Sequence, residues 1–498
     1  MRLFVGPYAP DLPEFNGTPG QSAPRLSGGK NTIFQSGHYI EFPAPAVWGT
    51  SQSGACNGAV AFNDRDSNTR IYSGDSGGLY RYVNTTATDS SKSGGYNVRA
   101  EEQWEFEKLA NTCIATNIDD DIQTISLGGT AFADFATSSL KPRARHIGLV
   151  GPNATVMLGN VEEGGVRYPN RLRWASITDN KDFDTSAANI ADSDDLEGSG
   201  GWIQAVLSGQ YGVILQETAI WRQEWVGSPR GYIAQRTQES VGSWAPYGSV
   251  RYGNSVFFIS NDGFMELRFG SELVPIGNGA VDKTFYDDVN QTYIHRIRAA
   301  LDPINHIVGW AYPSKASSAG NIDKVLFYNW ADRVWSPPLE ENMEILFSSL
   351  SAGYTLDGLD SVSTDLDALA FSLDSPVWTG GNLLFSMFDT GHRLNNFNGS
   401  GKQARLDLCE YQLFESMRAQ IGQTRPEIEG TTAVKISSGK RDRLGDTRSF
   451  SASVTMDANG LCPLDSESRY HLIRIDIDAG ESFKCVGIDV EAAQTGQF

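Results

Sequence analysis

The sequence predicts an all-β fold, with a β-propeller-like domain of about seven degenerate blades, an extended N-terminal arm and a smaller C-terminal β domain. Three observations support this prediction. Short runs of β-branched and aromatic residues, separated by Gly, Asn and Asp, recur along most of the 498 residues. The chain contains 52 Gly, 24 Phe, 18 Tyr and 11 Trp, which is typical of turn-rich β proteins. No long stretch follows the apolar period of an amphipathic helix.

The stretch Trp202–Gly277 shows this pattern most clearly. Its apolar runs form two series that we interpret as strands joined by tight turns. The first series contains Val213, Leu215, Ile220 and Trp221, and the second contains Val256–Ile259, Met265–Leu267 and Val274–Ile276. Between two of these runs, Ser260-Asn261-Asp262-Gly263 predicts a hairpin turn, because Asn, Asp and Gly adopt positive φ at low cost.

Turns of this kind recur along the chain. They fall near Ser73, Asn117, Asn160, Ser208, Ser260, Asp302 and Leu350. Their mean interval of about 46 residues is within the roughly 40–50 residues of a four-stranded propeller blade. The alternation continues through Ala368–Asp389, where further strands are expected. An array of β-sandwich domains, with strands at intervals of roughly 8–12 residues, is the alternative.

Changes in composition divide the chain into three regions. Residues 1–59 are rich in Pro, Gly, Ser and Asn, and they predict an extended arm with short strands at Asn31–Phe34 and Tyr39–Phe42. Such an arm lies on its own domain or reaches a neighbouring subunit. Residues 60–395 are assigned to the propeller-like domain. Residues 396–498 are assigned to a C-terminal β-strand domain, in which apolar and polar residues alternate along Tyr470–Asp478.

The formal net charge of −20 and the pI near 4.7 argue against a protein that grips nucleic-acid phosphates with a broad basic face. Solubility is one explanation of this charge. The other is a surface past which DNA slides without adhering, because like charges repel.

The cysteines and the N-terminus indicate a chain that folds in a reducing cytoplasm. The five Cys have neither the paired spacing of a disulfide framework nor that of a zinc site. The first residues lack the apolar segment of a secretory signal, and no stretch approaches the roughly 20 apolar residues of a membrane span.

Residues 74–78 spell GDSGG, which is also the nucleophile loop of trypsin-like serine proteases. His38 is the only histidine that precedes this loop in the sequence, and the preceding segment is too short to form the first barrel of such a protease. The pattern Ser73-x-Asp75-x-Gly77-x-x-Tyr80 resembles instead the Asp-box turn between strands of sialidase-type propeller blades. We therefore interpret it as a folding signal, and we expect no catalytic residues.

Two acidic segments are the candidate functional residues. They are Asp119, Asp120 and Asp121, and Asp192, Asp194, Asp195 and Glu197. Carboxylates can chelate Ca²⁺, but neither segment has the spacing of an EF-hand loop, so solvated loops are the better interpretation. We expect no metal site, no cofactor and no enzyme activity.

Several blocks of sequence together resemble the tail structural proteins of tailed phages, in particular the tail tubular protein B or nozzle family of short-tailed phages. They are NRLRWASITDNKDFDTS (170–186), GVILQETAIWRQEWVG (212–227), SVFFISNDGFMELRFGSELVPIGNGAVDKTFYDDVN (255–290), RAALDPINHIVGWAYPS (298–314), KVLFYNWADRVWS (324–336) and SAGYTLDGLDSVSTDLDALAFSLDSPVWTGG (351–381). The resemblance covers residues 150–395 best.

This resemblance implies a virion protein that is synthesised in the host bacterial cytoplasm and located in the tail. It implies a homo-oligomer, a hexameric ring below the adaptor ring, which contacts fibre or spike proteins and lets genomic DNA pass without sequence-specific binding. The acidic segments at 119–121 and 192–197 are then candidates for channel-facing loops. A hub or receptor-binding tail protein is one alternative, and a glycan-binding or glycan-cleaving, sialidase-like propeller is another.

Overall fold

The structure is a computed structural model that describes residues 1–66, 68–186, 188–277, 279–350 and 383–497. Within these residues nearly all regular structure is β-strand, which confirms the predicted all-β class. Five strands come first along the chain. They are β1 (Arg2–Phe4), β2 (Leu26–Lys30), β3 (Thr32–Gln35), β4 (His38–Glu41) and β5 (Pro43–Ser51).

Four antiparallel sheets follow, each built from four consecutive strands. Sheet 1 contains β6 (Gly58–Asn63), β7 (Thr69–Gly74), β8 (Leu79–Val83) and β9 (Thr86–Asp89). Sheet 2 contains β10 (Glu105–Leu109), β11 (Thr112–Thr116), β12 (Gln123–Ser126) and β13 (Ala133–Asp134). Sheet 3 contains β14 (Arg143–Val150), β15 (Thr155–Glu163), β16 (Val166–Trp174) and β17 (Asp192–Asp195). Sheet 4 contains β18 (Ile203–Leu207), β19 (Gly212–Gln216), β20 (Ala219–Gly227) and β21 (Gly231–Glu239).

Three more four-stranded sheets continue the series, and the last of them takes a strand from the other end of the chain. Sheet 5 contains β22 (Val250–Tyr252), β23 (Ser255–Ser260), β24 (Gly263–Arg268) and β25 (Glu272–Pro275). Sheet 6 contains β26 (Arg298–Asp302), β27 (Ile307–Tyr312), β28 (Ile322–Asn329) and β29 (Val334–Met343). Sheet 7 contains β30 (Ile345–Leu350), β31 (Leu383–Phe388) and β32 (Arg393–Gly401), and β5 completes it by pairing with β32.

The remaining strands form two six-stranded sheets, here called the end sheets, that combine both ends of the chain. These strands are β33 (Ala404–Tyr411), β34 (Met417–Glu429), β35 (Val434–Arg441), β36 (Ser449–Phe450), β37 (Val454–Thr455), β38 (Cys462–Ser468), β39 (Tyr470–Ile477) and β40 (Lys484–Gln497). One end sheet has the order β3-β4-β40-β34-β38, with β1 also paired to β40. The other has the order β2-β33-β39-β35-β36, with β37 paired to β35.

Buried apolar side chains join each of sheets 1–7 to the next. Tyr72 of sheet 1 shares a cluster with Ile125 of sheet 2, and the remaining consecutive pairs are joined in the same way. Ile345 of sheet 7 shares a cluster with Ile71 of sheet 1, and β30 contacts β6. The packing between sheets therefore returns from the last sheet of the series to the first.

The N-terminal residues lie on their own chain. Besides the strands that pair with the end sheets, Asp11 accepts hydrogen bonds from the backbone N–H groups of Lys283 (2.7 Å) and Thr284 (2.8 Å). These residues begin a short helix, α1 (Asp282–Asp288), which is followed by a 3₁₀ helix (Gln291–Arg296). These residues of the predicted arm therefore make contacts with their own chain.

The hairpin predicted at Ser260–Gly263 is confirmed. Ser260 is the last residue of β23, Gly263 is the first residue of β24, and the two residues pair. Of the four turn residues only Gly263 has positive φ, at 128°. A Cβ atom there would also collide with the carboxylate of Asp282, so two separate reasons require glycine.

The predicted turn positions fall once in each of sheets 1–7, but they are not equivalent to one another. Ser73, Asn117 and Ser260 lie near the turn between the second and third strands, whereas Ser208 and Asp302 lie near the turn between the first and second, and Leu350 is the last residue of the first strand of its sheet. Asn160 lies within β15. The predicted strand segment 368–382 and the block 351–381 lie outside the described residues. Among the residues that are described, no helix is long and apolar enough to span a membrane.

Candidate functional site

A cavity of about 670 Å³ lies between the first strands of sheets 2 to 6. Its walls come from β10, β14, β18, β22 and β26 and from the turns that adjoin them. At one end Gln210, Gly253 and Asn254 are exposed, and at the other Pro246 and Tyr247 are buried. The cavity therefore has a mouth at the first end and a floor at the second.

Two carboxylates, Glu105 and Glu107, line one wall of this cavity. They are two residues apart on β10, and alternate residues of a strand point to the same face. Glu105 accepts hydrogen bonds from the ring of His146 (Nδ1 at 2.9 Å) and from the backbone N–H of Ile147 (3.2 Å). The hydroxyl of Ser208 donates to Glu107. Both carboxylates therefore have protein partners.

Burial raises the pKa of Glu107 to about 7. The nearby charge of Glu105 acts in the same direction, whereas the hydrogen bond from Ser208 acts against it. Near neutral pH, Glu107 is therefore divided between its neutral and ionised forms, and it can donate a proton as well as accept one.

Two arginines line the cavity as well. Arg251 donates to the backbone carbonyls of Gly253 (2.9 Å) and Tyr211 (2.7 Å). Arg298 donates to the side-chain oxygen of Gln103 at 2.6 Å. No carboxylate of the described residues lies within ion-pair distance of either guanidinium. Because burial lowers the pKa of both arginines without deprotonating them near neutral pH, they contribute unpaired positive charge to the cavity.

The region behind the floor is held by a buried ion pair. Arg145 donates to both oxygens of Glu102, at 2.8 and 3.0 Å, and both residues are buried. The Tyr247 hydroxyl also lies within 3.4 Å of Glu102 and receives a hydrogen bond from the backbone N–H of Gln103. Such a bidentate pair fixes the geometry of the floor, since removal of one partner would leave a buried charge uncompensated.

Two tyrosines adjoin Arg251, but only Tyr211 lines the cavity. Tyr252 follows Arg251 in β22, so its side chain points to the opposite face of the sheet; it is 45% exposed, and its ring centroid is 5.4 Å from that of Trp330. Tyr211, which lines the cavity, lies between two guanidinium groups: Arg251 at 4.4 Å and Arg222 at 4.2 Å from its ring centroid. The cavity wall thus contains an aromatic ring, Tyr211, on which guanidinium groups stack.

The first predicted acidic segment lies in the turn between β11 and β12, outside this cavity. Asp119 forms an ion pair with Arg99 (2.7 Å), and Asp121 forms one with Arg143 (2.9 Å). Burial raises the pKa of Asp120. Much of the negative charge of this segment is therefore compensated locally.

The second predicted acidic segment forms the edge strand β17 and the residues after it. Asp195 forms an ion pair with Arg171 at 2.7 Å, and the hydrogen bond from Arg171 lowers the pKa of that carboxyl. Asp192, Asp194 and Glu197 are exposed, and among the described residues they have no ion-pair partner. The two segments belong to different sheets, so they do not form one site. Their assignment to a channel stays a prediction.

The GDSGG turn connects β7 to β8. Asp75 accepts hydrogen bonds from the backbone N–H groups of Gly77 (2.8 Å) and Gly78 (2.6 Å) and from the Tyr80 hydroxyl (2.9 Å). In the described part of the chain no histidine contacts Ser76. This geometry supports the interpretation of the motif as a folding signal.

The described residues contain no group of three or more His, Cys, Asp or Glu side chains positioned to hold a metal ion. The five cysteines are free and buried. What the cavity does offer is hydrogen bonding and positive charge, and these are properties of a binding site.

Sequence reasoning missed the cavity residues Glu105, Glu107, Arg251 and Arg298. One signal was present: Glu105-Phe106-Glu107 places charges at alternate positions of a strand that is otherwise expected to be packed. The arginines come from distant strands, and nothing local relates them to this segment.

A comparison of the chain with protein-family models finds no match, and a comparison with curated proteins finds none either.

Proposed function

We propose that sheets 1–7 form a seven-bladed β-propeller. Two observations support this. Each of these sheets has four strands and packs on the next, and a cluster joins sheet 7 to sheet 1. In addition, β5 from the N-terminal region pairs with β32 and completes sheet 7. This blade therefore combines a strand that precedes sheet 1 in the sequence with three strands that follow sheet 6. A radial arrangement leaves only short sheet edges exposed.

We further propose that this propeller is the structural core of a tail nozzle subunit of a short-tailed phage. The resemblance of residues 150–395 to that family supports this role. The observation that carries the proposal is the packing of sheet 7 on sheet 1. A closed ring of sheets that also packs against the end sheets is a rigid building block. In this role the subunit assembles as a hexameric ring below the adaptor, contacts fibres or spikes, and performs no catalysis.

The charge of the protein is consistent with a passage for DNA. The net charge is −20, and Asp192, Asp194 and Glu197 are exposed. Acidic groups along a channel repel phosphates and keep DNA from adhering. The ion pairs of Asp119, Asp121 and Asp195 reduce this effect, so we expect the exposed members of the second segment to contribute most.

Electron microscopy of negatively stained protein tests the proposal. The purified protein is imaged alone, together with its adaptor ring, and beside the adaptor ring alone as control. We expect open six-fold rings in the mixture. Isolated discs that the adaptor ring leaves unchanged would contradict the nozzle role.

Glycan binding is the second candidate function, and the hydrogen-bonding side chains that line the cavity favour it, because sugar hydroxyls both donate and accept hydrogen bonds. A receptor-binding protein with such a site is a monomer or small oligomer that binds cell-surface glycan in the absence of any adaptor. Binding is better supported than cleavage, since both oxygens of Glu105 already accept hydrogen bonds from the protein.

A further inference from the structure

Large apolar side chains are exposed at one end of sheets 5 and 6. Tyr252 is the last residue of β22 and is 45% exposed. Phe269, in the turn between β24 and β25, is 58% exposed, and Ile304, in the turn between β26 and β27, is 55% exposed. Exposed apolar side chains that lie close together in a folded protein often mark an interaction site.

These side chains belong to one continuous surface. The ring centroid of Tyr252 is 5.4 Å from that of Trp330, which lies in the turn between β28 and β29. The backbone N–H of Trp330 donates to the carbonyl of His306, in the same turn as Ile304, at 3.0 Å. The backbone N–H of Phe269 donates to a carbonyl of the turn that follows Tyr252, at 2.8 Å. We call Tyr252, Phe269, Ile304 and Trp330 the tip surface.

The backbone of Phe269 adopts a conformation that phenylalanine disfavours. The φ angles of Phe269 and Gly270 are 51° and 73°, and the backbone N–H of Ser271 donates to the carbonyl of Arg268 at 3.1 Å. A turn with two positive φ angles favours Asn at its first position, and Asn84 has a φ of 55° in the corresponding turn of sheet 1. Neither turn geometry nor burial explains the phenylalanine, and unfavourable backbone conformations concentrate at functional sites.

The charge beside the tip surface is balanced, although the whole chain carries −20. We considered the turns of sheets 4–6 at this end together with one strand residue on either side. Their charged residues are Arg230, Arg268 and Arg333 on one side and Glu272, Asp302 and Asp332 on the other. Screening limits the repulsion between two acidic proteins to about 8–10 Å at physiological ionic strength, so the charge of the facing surfaces decides whether they can meet.

This composition favours a protein partner over a lipid. Tyr, Trp, Phe and Arg are enriched in the cores of protein interfaces and Lys is depleted, and these turns contain arginine but no lysine. A surface that binds an anionic membrane carries an excess of cations, which is not found here. Because charges of both signs are present in equal number, the surface can form ion pairs with a copy of itself.

We propose that the tip surface binds a second copy of this chain. In this contact the partner covers the side chains of Phe269 and Ile304, and arginines of one copy face carboxylates of the other. The inference names a surface that the proposed nozzle role does not assign, and it does not depend on that role.

Sedimentation velocity of the full-length protein over a range of concentrations tests the inference with the variant Phe269→Asn. We expect reversible self-association of the wild type, and a loss of about tenfold or more in affinity for the variant, because a buried phenylalanine ring contributes at least that factor. Thermal melts should show that the variant is as stable as the wild type or more stable, since Asn suits the positive φ of this position.

Two further variants act as support and control. Ile304→Asn changes another residue of the tip surface and is expected to weaken self-association as well, so the test does not depend on one variant. Val166→Asn is the matched control, because Val166 is 53% exposed but adjoins the turn between the second and third strands of sheet 3, at the opposite end of its sheet. We expect this control to associate like the wild type.

Four results would overturn the inference. A protein that stays monomeric at every concentration has no such contact, and equal weakening by Phe269→Asn and Val166→Asn would exclude the tip surface as its location. A lower melting temperature of monomeric Phe269→Asn would show that the chain itself covers this ring. Binding of monomeric wild type, but not of Phe269→Asn, to phosphatidylcholine vesicles would assign the surface to lipid. Ring formation with the adaptor is observed separately by microscopy, so the two proposals fail separately.

Discussion

The seven four-stranded sheets and the two end sheets are assembled from the chain in different ways. In sheets 1–6 every strand pairs with a strand next to it in the sequence, across a short connection in most cases. In the end sheets, β1 pairs with β40, β2 with β33 and β4 with β40, so partners are separated by most of the chain. Sheet 7 combines both modes, because β5 completes it.

This difference indicates that the two kinds of sheet depend on different parts of the sequence. Local hairpins cost little loop entropy and are encoded by their own turn residues. The end sheets form only after the two ends of the chain meet, and they share one apolar cluster with sheets 5 and 6. Closure of the series and the packing of the end sheets should therefore depend on the same N-terminal residues.

The largest expected effect comes from removal of residues 1–57. This deletion removes β5 from sheet 7 and takes six buried side chains from the shared cluster: Leu3, Val5, Tyr8, Leu26, Phe34 and Tyr39. Each buried side chain contributes about 1.5–3 kcal/mol, so the loss is comparable to the whole stability of a typical domain. We expect residues 58–498 alone to aggregate or to lack a cooperative thermal transition by circular dichroism.

The control for this deletion is the separate polypeptide 1–57. When it is added during refolding, the soluble yield and the cooperative transition should return. If the truncated protein melts at the same temperature and as cooperatively as the intact one, the local sheets fold without the N-terminal strands.

The next effect concerns a buried ion network in an end sheet. Glu410 is fully buried and accepts hydrogen bonds from Arg441 (2.6 Å) and Arg448 (3.1 Å). Its replacement by Ala leaves Glu14 as the remaining carboxylate partner of both guanidinium groups. We therefore expect a loss of about 3 kcal/mol in the free energy of unfolding, the low end of the range for a broken buried pair. Denaturant titration measures it. The control is Asp287→Ala, which breaks an exposed pair with Lys283 and should leave the midpoint unchanged.

A smaller effect is expected within the local sheets. A Cβ atom at Gly74, which ends β7, would collide with the indole ring of Trp104 in the connection to sheet 2. We expect Gly74→Ala to lower the free energy of unfolding by about 1–3 kcal/mol. Gly422→Ala is the matched control, because Gly422 also lies in a strand and has no atom within 4 Å of its added Cβ. Equal costs for the two variants would contradict the packing between sheets 1 and 2.

The smallest effect is a pH dependence in the cavity. Burial raises the pKa of Glu107 to about 7 in the folded protein, so its folded state favours the protonated form. Its contribution is fully present below its unfolded pKa, near 4.5, and is lost as the pH rises through about 7. Glu107→Gln abolishes this loss.

We therefore expect the variant to gain stability relative to the wild type between pH 4.5 and 8 by an amount on the order of 1 kcal/mol. Thermal melts of both proteins across this range measure the difference. A difference that is constant with pH would show that Glu107 titrates in the same way in the folded and unfolded states.

The sequence predicted those parts of the fold that have local signals. The turn at Ser260–Gly263 and the strands at Val213–Leu215 were recognisable from glycine, asparagine and β-branched residues. The pairing of Ala46 with Asn396 was not, because register between distant strands depends on packing that no local pattern encodes. The cavity was missed for the same reason, since Glu107 and Arg298 approach only after sheets 2 and 6 are in place.

The measurement that most directly tests the closure of the proposed propeller is a cross-link between β5 and β32. Ala46 and Asn396 are directly opposed in this pair of strands, and a disulfide requires such proximity. The five native cysteines are buried and should not interfere. The double variant Ala46→Cys, Asn396→Cys is oxidised, digested and examined by mass spectrometry, beside the out-of-register control Ala46→Cys, Ser400→Cys. We predict a disulfide between residues 46 and 396 and none in the control. A protein that folds without forming this bond, or that forms both equally, would contradict the closure of the seven sheets by the N-terminal strand.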